Sequence, residues 1–295
     1  MKKRNKYLVP YLFTAPTMII ILVLFYYPTL AVVRDSFFQL TGAGSIHRSF
    51  IGFENYSKLL HDPVFWKSLK ISVRWVLATV TIEFLGGFAF AVMLNRAFRG
   101  QKLIRTIIIS PYAISGILTS TMFFLLFNQH IGVLNDILMR LGIISKNIAW
   151  LGSPKYAFWS VVMAEAWRGL PFFTIILSAA LQTIPQDVYE SAQVDGASAL
   201  QRFTKITLPL MKRTIIFSCL LRSVWEFNNI DVIYALTSGG PANKTTTSAM
   251  YLIRTAIEGN NFGYGSAIAV ASLLFLVLCS LVVMLFTGLT KREVN

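Results

Sequence analysis

Six runs of about twenty largely apolar residues constrain this chain more than any other feature of its sequence. They cover residues 7–33, 71–94, 104–127, 156–181, 214–236 and 266–289. In hydrocarbon, a segment of that length must satisfy its own backbone hydrogen bonds, which leaves the α-helix as its structure. The expected fold class is therefore an all-α membrane protein, a single domain over residues 1–295 with six transmembrane helices. The runs at 71–94, 156–181 and 214–236 carry charges and are the less regular members of the set.

Composition agrees: 55% of the 295 residues are hydrophobic and only 14% are charged, far from the usage of a soluble domain of this size. The net charge of +14 raises nucleic acid as a partner, but no basic domain stands outside the apolar runs to bind it. Basic loops flanking membrane spans account for the excess. The opening MKKRNK followed by an apolar run has the look of a secretion signal. The run is too long for one and no small-x-small cleavage site follows, so an uncleaved first span is expected.

Orientation follows from lysine and arginine. One side collects Lys2, Lys3, Arg4 and Lys6, then Arg96, Arg99, Lys102 and Arg105, then Arg202, Lys205, Lys212 and Arg213, and finally Lys291 and Arg292. The other side is less densely basic, and the compact 96–105 turn weighs most because short loops dominate the bias. Both termini and the 182–213 loop are expected in the cytoplasm of a multi-pass protein of the cytoplasmic membrane. Outside the membrane, Asn55–Leu60, Pro63–Leu69 and the stretch IGVLNDILMRLGI read as short amphipathic surface helices. LTSGGPANKTTT reads as a turn. Pro111 and Pro171 are expected to bend or start helices.

The longest polar stretch between late spans, YESAQVDGASALQRFTKITLP over 189–209, has its own logic. Asp187 precedes a run with helical spacing, Gly196 supplies a break, and a second helical run leads to Pro209. A helix, turn and helix between two lipid-length segments would sit at the membrane surface and offer a knob to a soluble partner.

Charges inside spans are costly, about 2.5–3.5 kcal/mol each at a helix centre, and need a partner or a wet cavity. Glu165 and Arg168 are three apart, Arg222 and Glu226 four apart, so each pair shares a helix face. Trp225, Asn228, Asn229 and Asp231 lie close by. Such a face suits a sugar, whose hydroxyls need donors and acceptors and whose ring stacks on an aromatic; the alternative is a set of structural ion pairs. Glu83 is ambiguous, either pairing with a partner chain or lining a path. Cys219 and Cys279 fall within spans and read as small core residues. His47, His61 and His130 are scattered, with no metal-ligand spacing, so no metal site is expected. No G-x-x-x-x-G-K-[ST] loop is present, and no nucleophile with a base, so the chain is expected to be no enzyme.

The 189–209 stretch resembles the coupling-loop signature of the permeases of bacterial ABC importers. Glu190, Ser191 and Ala192 stand at its Glu-Ala-Ala triplet, followed by Gly196 and by Ile206, Leu208 and Pro209; Ser191 replaces the middle Ala, one small residue for another. PYLFTAPTMI, LTSGGPAN and FGYGSAIAVA extend the likeness to the larger-subunit type of maltose permease over nearly the whole chain, without that protein's inserted external domain and extra N-terminal spans.

The resemblance implies the type I ABC importer permease fold and the permease subunit of an ATP-driven, binding-protein-dependent carbohydrate importer. Its partners would be a second homologous permease, two ATPase subunits and an extracytoplasmic solute-binding protein. No cofactor would be bound by this chain; ATP and Mg would sit on the ATPase. Glu190, Ser191, Ala192, Asp195, Gly196, Ile206, Leu208 and Pro209 would couple to the ATPase. Glu165, Arg168, Gly169, Phe172, Arg222, Trp225, Glu226 and Asn229 would contact the sugar, although Arg168, within WRGLPF, can equally be structural. A neutral oligosaccharide is the first expectation and an anionic sugar the second. The rivals, a self-sufficient channel or gradient-driven carrier and a membrane enzyme, lack an inverted repeat or a catalytic cluster in this sequence.

Overall fold

The computed structural model describes residues 5–42 and 47–287. The basic residues Lys2, Lys3, Arg4, Lys291 and Arg292, and the last two residues of the 266–289 run, lie outside the described residues. The chain falls into two compact units: residues up to Trp66 with Tyr251–Phe275, and Lys67–Met250 with the residues from Leu276 onward.

In the first unit, helix α1 (Asn5–Ile21) continues through a π turn (Leu22–Tyr26) into α2 (Tyr27–Asp35). The widened turn precedes Pro28, which lacks the N–H that a regular ladder uses, and the Tyr27 N–H bonds the Leu22 carbonyl. Strands β1 (Phe38–Thr41) and β2 (His47–Phe50) form an antiparallel hairpin with Phe38 opposite Phe50. Helix α3 (Glu54–Leu60) follows, its buried Asn55 donating to the Ser36 and Phe38 carbonyls at 2.9 and 3.0 Å. Asp62 then starts helix α4 (Pro63–Leu94) by accepting the Val64 amide at 2.8 Å.

Pro63–Leu69 is therefore not a separate surface helix. Capped by Asp62 and with proline in the first turn, where its missing N–H is harmless, it forms the opening turns of a 32-residue helix. Asp62 also accepts the hydroxyls of Tyr251 and Tyr264 at 2.5 and 2.6 Å. Burial by itself raises the Asp62 carboxyl, but the two hydroxyls and the Val64 and Phe65 amides outweigh it and hold the group below its ordinary value. Burial and the neighbouring Asp62 push the Tyr251 hydroxyl up to about 12.

In the second unit, the 104–127 run is two helices rather than one rod. Helix α5 (Gln101–Ile109) ends in a 3-10 turn (Ser110–Ala113), and helix α6 (Gly116–Leu126) leaves at 103° to it. Pro111 sits in the tight turn, Ile114 is extended, and the Ser115 hydroxyl caps α6 by accepting the Leu118 amide. Helix α7 (Val133–Arg140) is the surface helix expected from IGVLNDILMRLGI. Helix α8 (Ala157–Gln182) runs unbroken through Pro171. After helix α9 (Gln186–Val194), helix α10 (Ala199–Arg202) and a π turn (Phe203–Thr207) lead directly into α11 (Leu208–Asn228).

The 214–236 run is likewise interrupted: Asn229 is extended, and α12 (Asp231–Thr237) starts anew beyond it. The Asn229 side-chain carbonyl accepts the Asp231 amide at 3.3 Å, the local bond by which asparagine competes with a helix. Helix α13 (Ser248–Ile253) and α14 (Phe262–Thr287) are the last helices among the described residues.

Among the described residues, four helices are long and apolar enough to cross a membrane, or five if the bent α5–α6 pair counts as one span. Helix α11 does not qualify, because Lys212, Arg213, Arg222 and Glu226 interrupt it. Helices α4 and α8 pack around two apolar cores, the first completed by α12 and the second by α11. One gathers Trp75, Phe158, Val161, Val162 and Ile233, the other Phe172, Phe173, Leu177 and Met211.

Candidate functional site

Five charged side chains from α4, α8 and α11 meet between those cores. Arg222 is the hub. Its Nε and Nη2 atoms donate to the two oxygens of Glu83 at 2.7 Å each, a bidentate fork, and Nη2 also reaches Glu165 Oε1 at 3.3 Å. Glu226 Oε1 lies 2.8 Å from Nη2, but out of line with any N–H, so this is an ion pair without a hydrogen bond. Arg168 forks onto Glu165 through Nε at 3.1 Å and Nη2 at 2.5 Å. Glu83, Glu165 and Glu226 are essentially sealed from solvent, whereas the Arg168 side chain is 22% exposed.

The three carboxylates offer oxygens within 4.8 Å of one another, a spacing that calls for a cation. Here the Arg222 guanidinium supplies it. Gly169 makes the approach possible, since a Cβ there would collide with the Glu83 carboxylate and with Arg222 Nη2. Trp75, in the core, donates its indole N–H to the Glu226 carbonyl at 3.2 Å and fixes the turn of α11 that carries the cluster.

On its open side the cluster borders a cavity of about 380 Å³ lined by Arg168, Arg222, Trp225, Glu226, Asn228, Asn229 and Asp231. The break after Asn228 turns Asn229 and Asp231 into the wall. Asn229 donates to Glu226 Oε2 at 3.4 Å, and Trp225, 46% exposed, packs edge-on against Phe172 with centroids 5.5 Å apart. Of the residues singled out from sequence, Arg168, Arg222, Trp225, Glu226 and Asn229 line this cavity. Glu165, Gly169 and Phe172 lie behind them as support. Sequence reasoning left Glu83 undecided, and its place as the forked partner of Arg222 depends on a contact 139 residues away. The available signal was that Arg222 has one acid on its own helix face, while Glu83 has no cation on its own.

The second region is the polar segment between α8 and α11. Helix α9 ends in a Schellman arrangement, with the Ala197 amide on the Ala192 carbonyl at 2.9 Å and the Gly196 amide on Gln193 at 3.1 Å. Gly196 takes φ +81, the left-handed conformation that such an ending requires. Ser198 and Gln201 then form a reciprocal capping box that starts α10. Arg202 ties back to Gln193 at 3.0 Å, and the Tyr189 hydroxyl meets that of Thr207 at 2.8 Å. Glu190, Ser191, Asp195, Gly196 and Pro209 are exposed, while Ala192, Ile206 and Leu208 are half-buried. The second run expected before Pro209 continues without interruption into α11, since Pro209 falls in that helix's first turn, where proline is tolerated.

A largely helical, multi-pass chain with a polar cavity among its apolar helices and a capped polar turn between two of them defines a membrane transport component. The chain belongs to the binding-protein-dependent transport system inner membrane components, whose family description matches residues 83–295. It is 36% identical over 259 residues to the sulfoquinovosyl glycerol transport system permease protein of Agrobacterium fabrum, covering 88% of this chain and 83% of that one. It is 37% identical over 246 residues to the trehalose/maltose transport system permease protein of Thermococcus litoralis, covering 83% and 82%. In fold it is similar to a chain of the bacterial alginate ABC transporter solved in complex with an alginate pentasaccharide-bound periplasmic protein. There the TM-score is 0.82 at 23% identity, over 99% of this chain and 97% of that one. The fold is that of a type I ABC importer permease, and the protein is a transport component rather than an enzyme.

Proposed function

We propose that this chain is the permease subunit of an importer that carries a carbohydrate, a neutral oligosaccharide in first place, into the cell. The cavity beside the Arg222 cluster is the sugar site. The observation that carries this reading is its lining: the exposed Trp225 face next to Arg168, Asn229 and Asp231 offers a stacking surface ringed by donors and acceptors. The relatives named for sulfoquinovosyl glycerol and for trehalose and maltose support a sugar as cargo.

In this reading one permease domain crosses the membrane six times with both termini in the cytoplasm. The bent α5–α6 pair and the α11–α12 pair serve as the third and fifth spans. The 182–213 segment is the coupling hairpin, and Glu190, exposed and with no side-chain hydrogen bond among the described residues, meets a basic side chain of an ATPase subunit. A second homologous permease, two ATPases and an external solute-binding protein complete the assembly. ATP and Mg bind to the ATPases. Their closure moves the coupling hairpin and opens the cavity outward to receive sugar, and hydrolysis returns it inward.

Affinity purification of the tagged chain from its native membrane tests this. Recovery of a second permease and an ATPase is the expected result. Recovery of the chain alone, still moving solute into liposomes without ATP, would overturn it.

A further inference from the structure

We infer that Glu83 sets the charge selectivity of the sugar site: by neutralising Arg222 from behind, it makes the cavity accept uncharged saccharides and reject acidic ones. This rests on the cavity being the sugar site. Glu83 comes from α4, is fully buried, and does not line the cavity, so it acts through Arg222 as a positioning residue.

Two arginines at a sugar site ordinarily invite a carboxylate or sulfonate, because a guanidinium matches such groups bidentately. Here both guanidiniums are already engaged. Arg222 gives its Nε and Nη2 to Glu83, and Arg168 gives the same two atoms to Glu165. Three buried carboxylates (Glu83, Glu165, Glu226) face two guanidiniums, and Asp231 adds an exposed carboxylate on the wall. Neither guanidinium is therefore left uncompensated, and Asp231 gives the wall an acidic edge. The wall offers the exposed Asp231 carboxylate as an acceptor. A sugar hydroxyl can donate to it, while a carboxylate or sulfonate brings only acceptors and a charge of the wrong sign.

Removing Glu83's charge while keeping its shape should move the balance. The test is equilibrium binding of maltotriose, as an uncharged probe, and trigalacturonate, as an acidic probe, to the assembled transporter in lipid nanodiscs. Wild type should prefer maltotriose. In E83Q the acidic probe should bind on the order of tenfold more tightly, maltotriose should change little, and the gain should shrink as salt is raised. E83D, which restores the charge, should return the wild-type preference. If E83Q does not assemble, R222K, which keeps the charge at that position but cannot fork onto Glu83, should shift the preference in the same direction. An unchanged ratio of the two affinities in the variant that assembles, or a wild type that binds the acidic probe at least as tightly, overturns the inference. Binding of neither probe to wild type overturns the sugar-site reading itself, and the inference with it.

Discussion

The Arg222 cluster and the 186–209 segment hold charge in opposite ways. In the cluster every carboxylate and guanidinium has a partner within the chain, and exposure is close to nil for all but Arg168. In the segment the Glu190 side chain is exposed and makes no hydrogen bond among the described residues, while neighbouring backbone ends are saturated by the Gly196 turn and the Ser198 capping box. The contrast follows from solvent. A charge in a low-dielectric interior must be compensated where it stands, whereas a charge in water costs little to leave open. The cluster is complete in itself, and the segment is shaped to be completed by another molecule.

The largest effect should come from breaking the hub. Arg222→Met leaves Glu83, Glu165 and Glu226 buried with Arg168 as their one remaining guanidinium, a loss of about 3–5 kcal/mol in stability. A steep fall in the thermal midpoint of the purified protein is expected, and a midpoint equal to wild type would show that the cluster is not self-compensated. Glu190→Lys should do the reverse. Stability should stay within about 0.5 kcal/mol of wild type because the site is exposed. ATPase co-purification and sugar uptake should both collapse, and normal values for both would remove Glu190 from the docking surface.

Two smaller changes sharpen the comparison. Trp225→Ala should raise the KM for uptake about tenfold, the worth of one aromatic contact, with little change in the thermal midpoint. A lost midpoint with unchanged KM would make Trp225 a packing residue instead. Gly196→Ala forces a Cβ into the left-handed region at φ +81, which costs about 1 kcal/mol. Faster proteolytic cleavage at the turn is the measurement. Equal cleavage rates would mean that the turn tolerates the strain.

Much of this was legible in the sequence because it depends on short spacing. Glu165–Arg168 and Arg222–Glu226 meet because three and four residues bring side chains onto one helix face. Gly196 marks the turn because few other residues accept its backbone. What stayed hidden depends on distance or direction. Nothing local to Glu83 or Arg222 says that α4 and α11 bring them together. Apolar runs report what lies in hydrocarbon and not whether the helix is straight, so 104–127 concealed a 103° bend and 214–236 a break at Asn229. Both breaks had local signals, Pro111 with Ser115 and the Asn228–Asn229 pair, each of which offers the backbone an alternative to helix. Pro63, conversely, reads as a short helix's start when the apolar residues behind it simply carry that helix on.

Asp62 lies between the two extremes, a partly buried carboxyl held by neutral donors rather than by a cation, and it gives the smallest effect. Its folded value lies below the ordinary 3.8, because the Tyr251 and Tyr264 hydroxyls and two amides favour the charged form over the opposing effect of burial. Its contribution should therefore be fully present above about pH 4 and be lost as pH falls through the folded value, since protonation removes the acceptor. Tyr251, raised to about 12, keeps its proton through the neutral range, so the clasp has no alkaline limit until pH passes the ordinary tyrosine value near 10. The thermal midpoint of wild type should exceed that of Asp62→Asn by a constant margin between about pH 5 and about pH 8, and the margin should narrow below about pH 4. A margin that persists undiminished in acid would mean that Asp62 acts through shape alone. The rule drawn from the other two regions, that charge is placed where a partner or water compensates it, would then not extend to this third one.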